Sequence, residues 1–188
     1  PENIQLKIRK DTNSEFLQWY YFRLIGAKDM ECKLNILNAG EAAYPEGWEN
    51  YQARASYDRE TWFTIPTEYD GTVLSFEISP EYDTVYFAYF APFSYEQHLD
   101  LVNSAQQSYL CKSESLGQRI QGRPIDFLRI GDEDTSKKKL WVIARQHPGE
   151  AMAEWFMVGL ISRILDEDDP VAVSLLKKAD LYLIPNMN

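Results

Sequence analysis

The chain has 188 residues, is 45 % hydrophobic and 14 % aromatic, and carries a formal net charge of −10. That content suffices for one sizeable domain or two small ones and excludes a disordered tail. The acidic balance argues against a nucleic-acid partner, and no apolar run approaches the roughly 20 residues needed to cross a bilayer.

Residues 3–9 (NIQLKIR) put Ile4, Leu6 and Ile8 on one face and predict a strand. The same period of two recurs in 73–79 (VLSFEIS) and 84–90 (TVYFAYF), with shorter strands expected at 16–25, 32–37, 51–57 and 60–65. Gly, Asn, Pro and Asp separate them. Many short strands with aromatic filling predict an antiparallel β-sandwich. The aromatic stretch 82–95 (YDTVYFAYFAPFSY) is read as sandwich core in preference to a binding groove. Cys32 and Cys111 are expected to be small buried apolar residues, since two distant cysteines give no disulfide framework and suit a reduced cytoplasmic setting. No signal-peptide pattern is present, although the chain begins at Pro1.

Ser94 followed by Gln97 is a capping-box pattern and starts a helix expected to run to about residue 108. Residues 112–124 (KSESLGQRIQGRP) are polar and read as a long connection, which puts a domain boundary at 112/113. Beyond it come a strand at 125–130, a charged turn at 132–139 and an apolar strand at 140–144 (LWVIA) of the kind buried on both faces. Residues 150–165 form a helix with two apolar rows, Met152–Phe156–Leu160–Ile164 and Ala153–Met157–Ile161–Leu165. A short amphipathic segment at 171–178 and a strand at 181–184 (LYLI) complete a strand–helix–strand unit of a mainly parallel sheet. One covering helix cannot bury such a sheet, so 113–188 is expected to be the first part of a larger α/β domain.

His147 follows the apolar strand and Glu150 starts the next helix, separated by Pro148 and Gly149. Such a turn can aim an imidazole nitrogen and a carboxylate oxygen at one point, and both are ordinary zinc donors. A glutamate in a helix's first turn is also favoured by the helix dipole alone, and a histidine can simply cap a loop. By spacing, both readings stand.

The stretch IARQHPGEAMAEWFMVGL closely resembles the zinc metallocarboxypeptidases, in the branch named for cytosolic carboxypeptidases and its bacterial relatives. The likeness extends back through GQRIQGRPIDFLRI (117–130) and forward to LIPNMN (183–188), and more loosely over a preceding β-sandwich domain. Ala151-Met152 stands where eukaryotic members usually carry Thr-Asn, which is closer to the bacterial members. The resemblance implies a fold of β-sandwich (1–112) followed by the start of an α/β mixed-sheet carboxypeptidase domain (113–188). It implies Zn2+ held by His147 and Glu150, with the third ligand, the base glutamate and the substrate arginines downstream of Asn188, so that no catalytic residue is expected within this chain. The implied substrate is the C-terminus of a peptide or protein, acidic tails among them, and the implied partners include no nucleic acid and no membrane. A related zinc deacylase of small N-acyl amino acids and a catalytically inactive binding module are the competing readings. His98 is read as a surface or helix-packing residue and not a ligand, Arg145 as a surface salt bridge, and Lys137–Lys139 as a solvated turn.

Overall fold

The computed structural model describes residues 3–132 and 134–188, and it divides into two compact units, Pro1–Ala91 and Pro92–Asn188. The division lies ahead of the expected 112/113, because the capped helix belongs with the second unit.

In the first unit β1 (Ile4–Leu6), β3 (Cys32–Ile36), β7 (Leu74–Ile78) and β6 (Thr67–Tyr69) form one sheet in that order. The other sheet runs β2 (Tyr21–Ile25), β8 (Thr84–Ala88), β4 (Ala53–Ser56) and β5 (Phe63–Ile65). Alternation selects the inward residues: Leu34, Ile36, Leu74 and Phe76 from the first sheet and Ala53, Ala55, Val85 and Phe87 from the second share one buried core. Phe76 and Phe87 meet with ring centroids 5.5 Å apart. Every pairing is antiparallel except β1 with β3. The chain leaves for the second sheet between those two strands, and such a crossover is what a parallel pair needs. Of the aromatic stretch, Phe87 and Phe93 are buried and Tyr89 packs against Trp48 and Tyr51, whereas Tyr82 is exposed. Tyr51 Oη donates to Tyr89 O at 2.6 Å and lies 2.7 Å from Tyr20 Oη, so the buried phenols satisfy one another.

The second unit opens with α1 (Tyr95–Ala105), where Ser94 accepts from Gln97 N and Gln97 Oε1 accepts from Ser94 N, closing the capping box. Its sheet runs β11 (Lys138–Ile143), β12 (Ala179–Ile184), β10 (Pro124–Ile130) and β9 (Cys111–Gln118). Only β11 and β12 are parallel, so the sheet is mixed rather than mainly parallel. The expected polar connection at 112–124 is mostly β9, an edge strand whose solvated faces carry no apolar alternation. The expected charged turn gives up Lys138 and Lys139 to β11, and Glu133 within it lies outside the described residues.

The strand at 140–144 is at the other edge and is not buried on both faces; Trp141 is 56 % exposed, with Leu140 and Ile143 also open. Between β11 and β12 lie α2 (Ala151–Ile164) and α3 (Pro170–Leu176). The buried stripe of α2 is Ala151, Glu154, Met157, Ile161 and Ile164, while Met152 and Phe156 of the expected first row are exposed. That stripe packs with Leu128, Ile130, Leu181 and Leu183 of the sheet and Val102 of α1. Both cysteines are buried free thiols, and burial pushes Cys111 up to about 11.

Gly131 has φ +139° and sits against the buried Asp180 carboxylate, so a Cβ there would overlap Asp180 Oδ1. Gly131→Ala is expected to cost about 1–3 kcal/mol through overlap and backbone strain. An unchanged urea midpoint would refute this.

Candidate metal centre

The ladder between the parallel strands continues past Ile143. Ala144 N donates to Ile184 O at 2.9 Å, and Met187 N donates to Ala144 O at 3.1 Å. Asn188 then donates through N to Arg145 O (3.3 Å) and through Nδ2 to Gln146 O (3.2 Å). The segment leading to His147 is therefore held at the carboxyl ends of two parallel strands, where open α/β sheets place their ligand sites. Arg145 turns the chain out of the sheet with φ 42°, a left-handed conformation uncommon for a residue with a side chain. Glu150 N donates to His147 O at 3.1 Å, closing the Pro148–Gly149 turn, and Glu150 becomes the N-cap of α2.

His147 Nδ1 and Glu150 Oε1 lie 2.8 Å apart, with side chains 72 % and 48 % exposed. The hydrogen bond from His147 holds the Glu150 carboxyl below the ordinary carboxylate range. An imidazole nitrogen and a carboxylate oxygen thus converge on one solvent-facing point, a donor set that suits zinc as two of its usual three protein ligands. Among the described residues no group of three or more His, Cys, Asp or Glu could hold a metal ion.

Directly beneath this turn is a buried charge network that the sequence reading did not assemble. Glu154 is fully buried, its Oε2 paired with Arg145 Nη1 and its Oε1 3.0 Å from His98 Nδ1. His98, also fully buried, places Nε2 2.8 Å from Asp126 Oδ2 on β10. Arg145 Nη1 further donates to Phe93 O at 2.8 Å, and Nε donates to Pro148 O at 3.1 Å. His98 is therefore a helix-packing residue and not a surface one, and Arg145 pairs with a buried carboxylate instead of forming a surface bridge. A carboxylate can only accept, so carboxylates on both ring nitrogens favour the imidazolium. Burial lowers the affinity of His98 for its proton, but the bonds to Glu154 and Asp126 outweigh it and raise the value above the usual one. One signal could have exposed the network: Glu154 falls three residues after Ala151 and three before Met157, a charge inside the apolar stripe.

Lys137 and Lys139 are not a free basic patch. Lys137 Nζ lies 2.7 Å from Asp132 and donates to Leu176 O, and Lys139 Nζ lies 2.6 Å from the buried Asp180. Both stand at the amino end of β11, away from His147 at its carboxyl end.

Two family models match the chain: the cytosolic carboxypeptidase N-terminal domain over residues 1–90 and the zinc carboxypeptidase over 95–188. An uncharacterized protein of Zymomonas mobilis is 44 % identical over 98 % of this chain and 48 % of its own length. Cytosolic carboxypeptidase 6 of Caenorhabditis elegans is 30 % identical over 97 % of this chain and 44 % of its own. A metallo-carboxypeptidase from Pseudomonas aeruginosa, solved with (2-guanidinoethylmercapto)succinic acid, superposes with a TM-score of 0.94 at 48 % identity, over the whole of this chain and 50 % of that one. The chain thus spans about half the length of the relatives it matches, or less.

The raised His98 value fixes a sign. Its contribution to stability is complete below the ordinary imidazole value of about 6.5 and is lost as pH rises through the raised one. Melting temperature is expected to fall over that window, and His98→Gln to flatten the fall; an equal slope in the variant would rule His98 out as its source.

Proposed function

The chain belongs to the zinc carboxypeptidase family, its first part matching the N-terminal domain of the cytosolic carboxypeptidases, and on that premise we propose that it serves zinc-dependent release of the C-terminal residue of a peptide or protein. The observation that carries this reading is the convergence of His147 Nδ1 and Glu150 Oε1 at the carboxyl ends of parallel strands. In it, His147 and Glu150 are two of three protein ligands to Zn2+. When bound, zinc polarises the scissile carbonyl and lowers the pKa of its water.

To act as ligands His147 presents an unprotonated ring nitrogen and Glu150 its carboxylate, in place of the bond they now make to each other. Protons compete with a cation for such donors, so zinc affinity is expected to weaken as pH falls. The exposure of both side chains keeps the point open to a substrate peptide and to water. The chain's other histidine, His98, is consumed by two carboxylates, which supports a third ligand from outside residues 1–188. The base glutamate and the arginines that grip the substrate's terminal carboxylate belong to that same part in this reading.

The two sheets of the first unit are read as an antiparallel sandwich ahead of the catalytic domain. The open apolar side chains Leu140, Trp141 and Ile143 on β11 suit an edge that further chain covers. The cytoplasm is the favoured compartment, since both cysteines are free thiols and several relatives are named cytosolic. No described helix is long and apolar enough to cross a membrane.

The full-length protein is expected to release C-terminal residues from a peptide panel and to lose that activity with a chelator. His147→Ala and Glu150→Gln should each reduce zinc affinity by more than the roughly 10–100-fold that loss of an outer partner costs. Release that is indifferent to chelator would overturn the proposal.

A further inference from the structure

We propose that Arg145, Glu154 and His98 are positioning residues for the metal ligands, a buried relay that sets the His147–Glu150 turn from beneath; this rests on the zinc reading above. The two donors are largely exposed and bond each other, so their placement comes from the backbone that carries them. That backbone is fixed through one guanidinium. Arg145 stands two residues before His147 and contacts three acceptors: Pro148 O inside the turn, Phe93 O ahead of α1, and the Glu154 carboxylate. Glu154 is one helical turn beyond Glu150 on α2, so a pull on its carboxylate sets the start of the helix that presents Glu150. His98 passes the constraint on, joining Glu154 to Asp126 and thereby α2 to α1 and β10.

The chemistry favours this single arrangement. Two acidic and two basic groups share the site, each with an opposite partner within hydrogen-bond reach. A buried pair of this kind adds little net stability, but breaking it leaves an uncompensated charge. The network therefore discriminates between arrangements of the turn, which is what a metal site held by exposed donors requires. The left-handed φ of Arg145 fits the same role: the residue that leads into the turn sends its own side chain back to Pro148 O inside it.

The test uses the metal-free full-length protein. Zinc affinity is read by competition with a chromophoric chelator, and ligand geometry by the visible spectrum of the Co2+-substituted protein. Glu154→Gln keeps the shape and removes the charge, and Arg145→Lys keeps the charge and removes the fork. Each is expected to weaken zinc binding roughly 10–100-fold and to alter the Co2+ bands. Leu34→Ala, in the core of the first unit, should lower the melting temperature while leaving affinity and spectrum unchanged. Either folded variant binding zinc as tightly as the parent, with the parent's Co2+ spectrum, overturns the inference. Failure of both to fold also counts against it, since a positioning role leaves the metal-free fold standing. If the parent itself binds no zinc, the functional reading fails instead.

Discussion

The second unit is organised around one desolvated carboxylate. Glu154 has no exposed surface, and an isolated carboxylate in such a place would be driven to its neutral form or out of the core. It stays because Arg145 and His98 reach it from two other elements, while Asp126 balances His98 from a third. Removing one member of a buried pair typically costs about 3–5 kcal/mol, although the intact pair contributes little net stability. The apolar contacts among Leu128, Leu183, Met157 and Ile161 supply the bulk of the burial but are tolerant of small shifts. The charge network is not tolerant of them. It converts a generally packed helix-on-sheet layer into one with a defined helix start.

The two ends of β11 and β12 then take different tasks. At the amino end, Lys137, Lys139, Asp132 and Asp180 pair off, and Gly131 gives up a side chain so that its backbone can pass Asp180. Those ionic groups are committed to the fold. At the carboxyl end the ladder runs on through Ala144 and Arg145, and the chemistry-bearing residues follow it into solvent. A parallel pair has all its carboxyl ends on one side, so a site built there can draw on successive strands of the same sheet. Lysines spaced only a few residues from His147 in sequence thus stand a full strand away from it.

What was readable in the residues was local. The alternation in VLSFEIS located Leu74–Ile78, and Ser94 with Gln97 located the first turn of α1, because both signals act between near neighbours. The contact between His147 and Glu150 is local in the same way, the two being three residues apart across one turn. The failures were tertiary. Residues 112–118 are polar because an edge strand has water on its faces, so no period of two marks them. LWVIA reads as doubly buried from hydrophobicity, yet a strand's neighbours, and not its composition, decide whether its faces are covered. His98 and Glu154 are 56 positions apart, and nothing between them signals the contact. Only the interruption of an apolar stripe by Glu154 hinted at a buried charge.

On the zinc reading, the arrangement also accounts for His147 and Glu150 being left outside. A histidine and a glutamate buried without a metal would need partners of their own, and those partners would then compete with the ion. His98 shows the consequence: a buried histidine between two carboxylates is held too well to serve as a ligand. His147 and Glu150 avoid it by being solvated, with one shared hydrogen bond between them. In the zinc reading, a cation takes the place of that one contact without dismantling a core. In the zinc reading, fixing the turn with buried charges and leaving His147 and Glu150 in water separates precision from availability, and a catalytic metal site needs both.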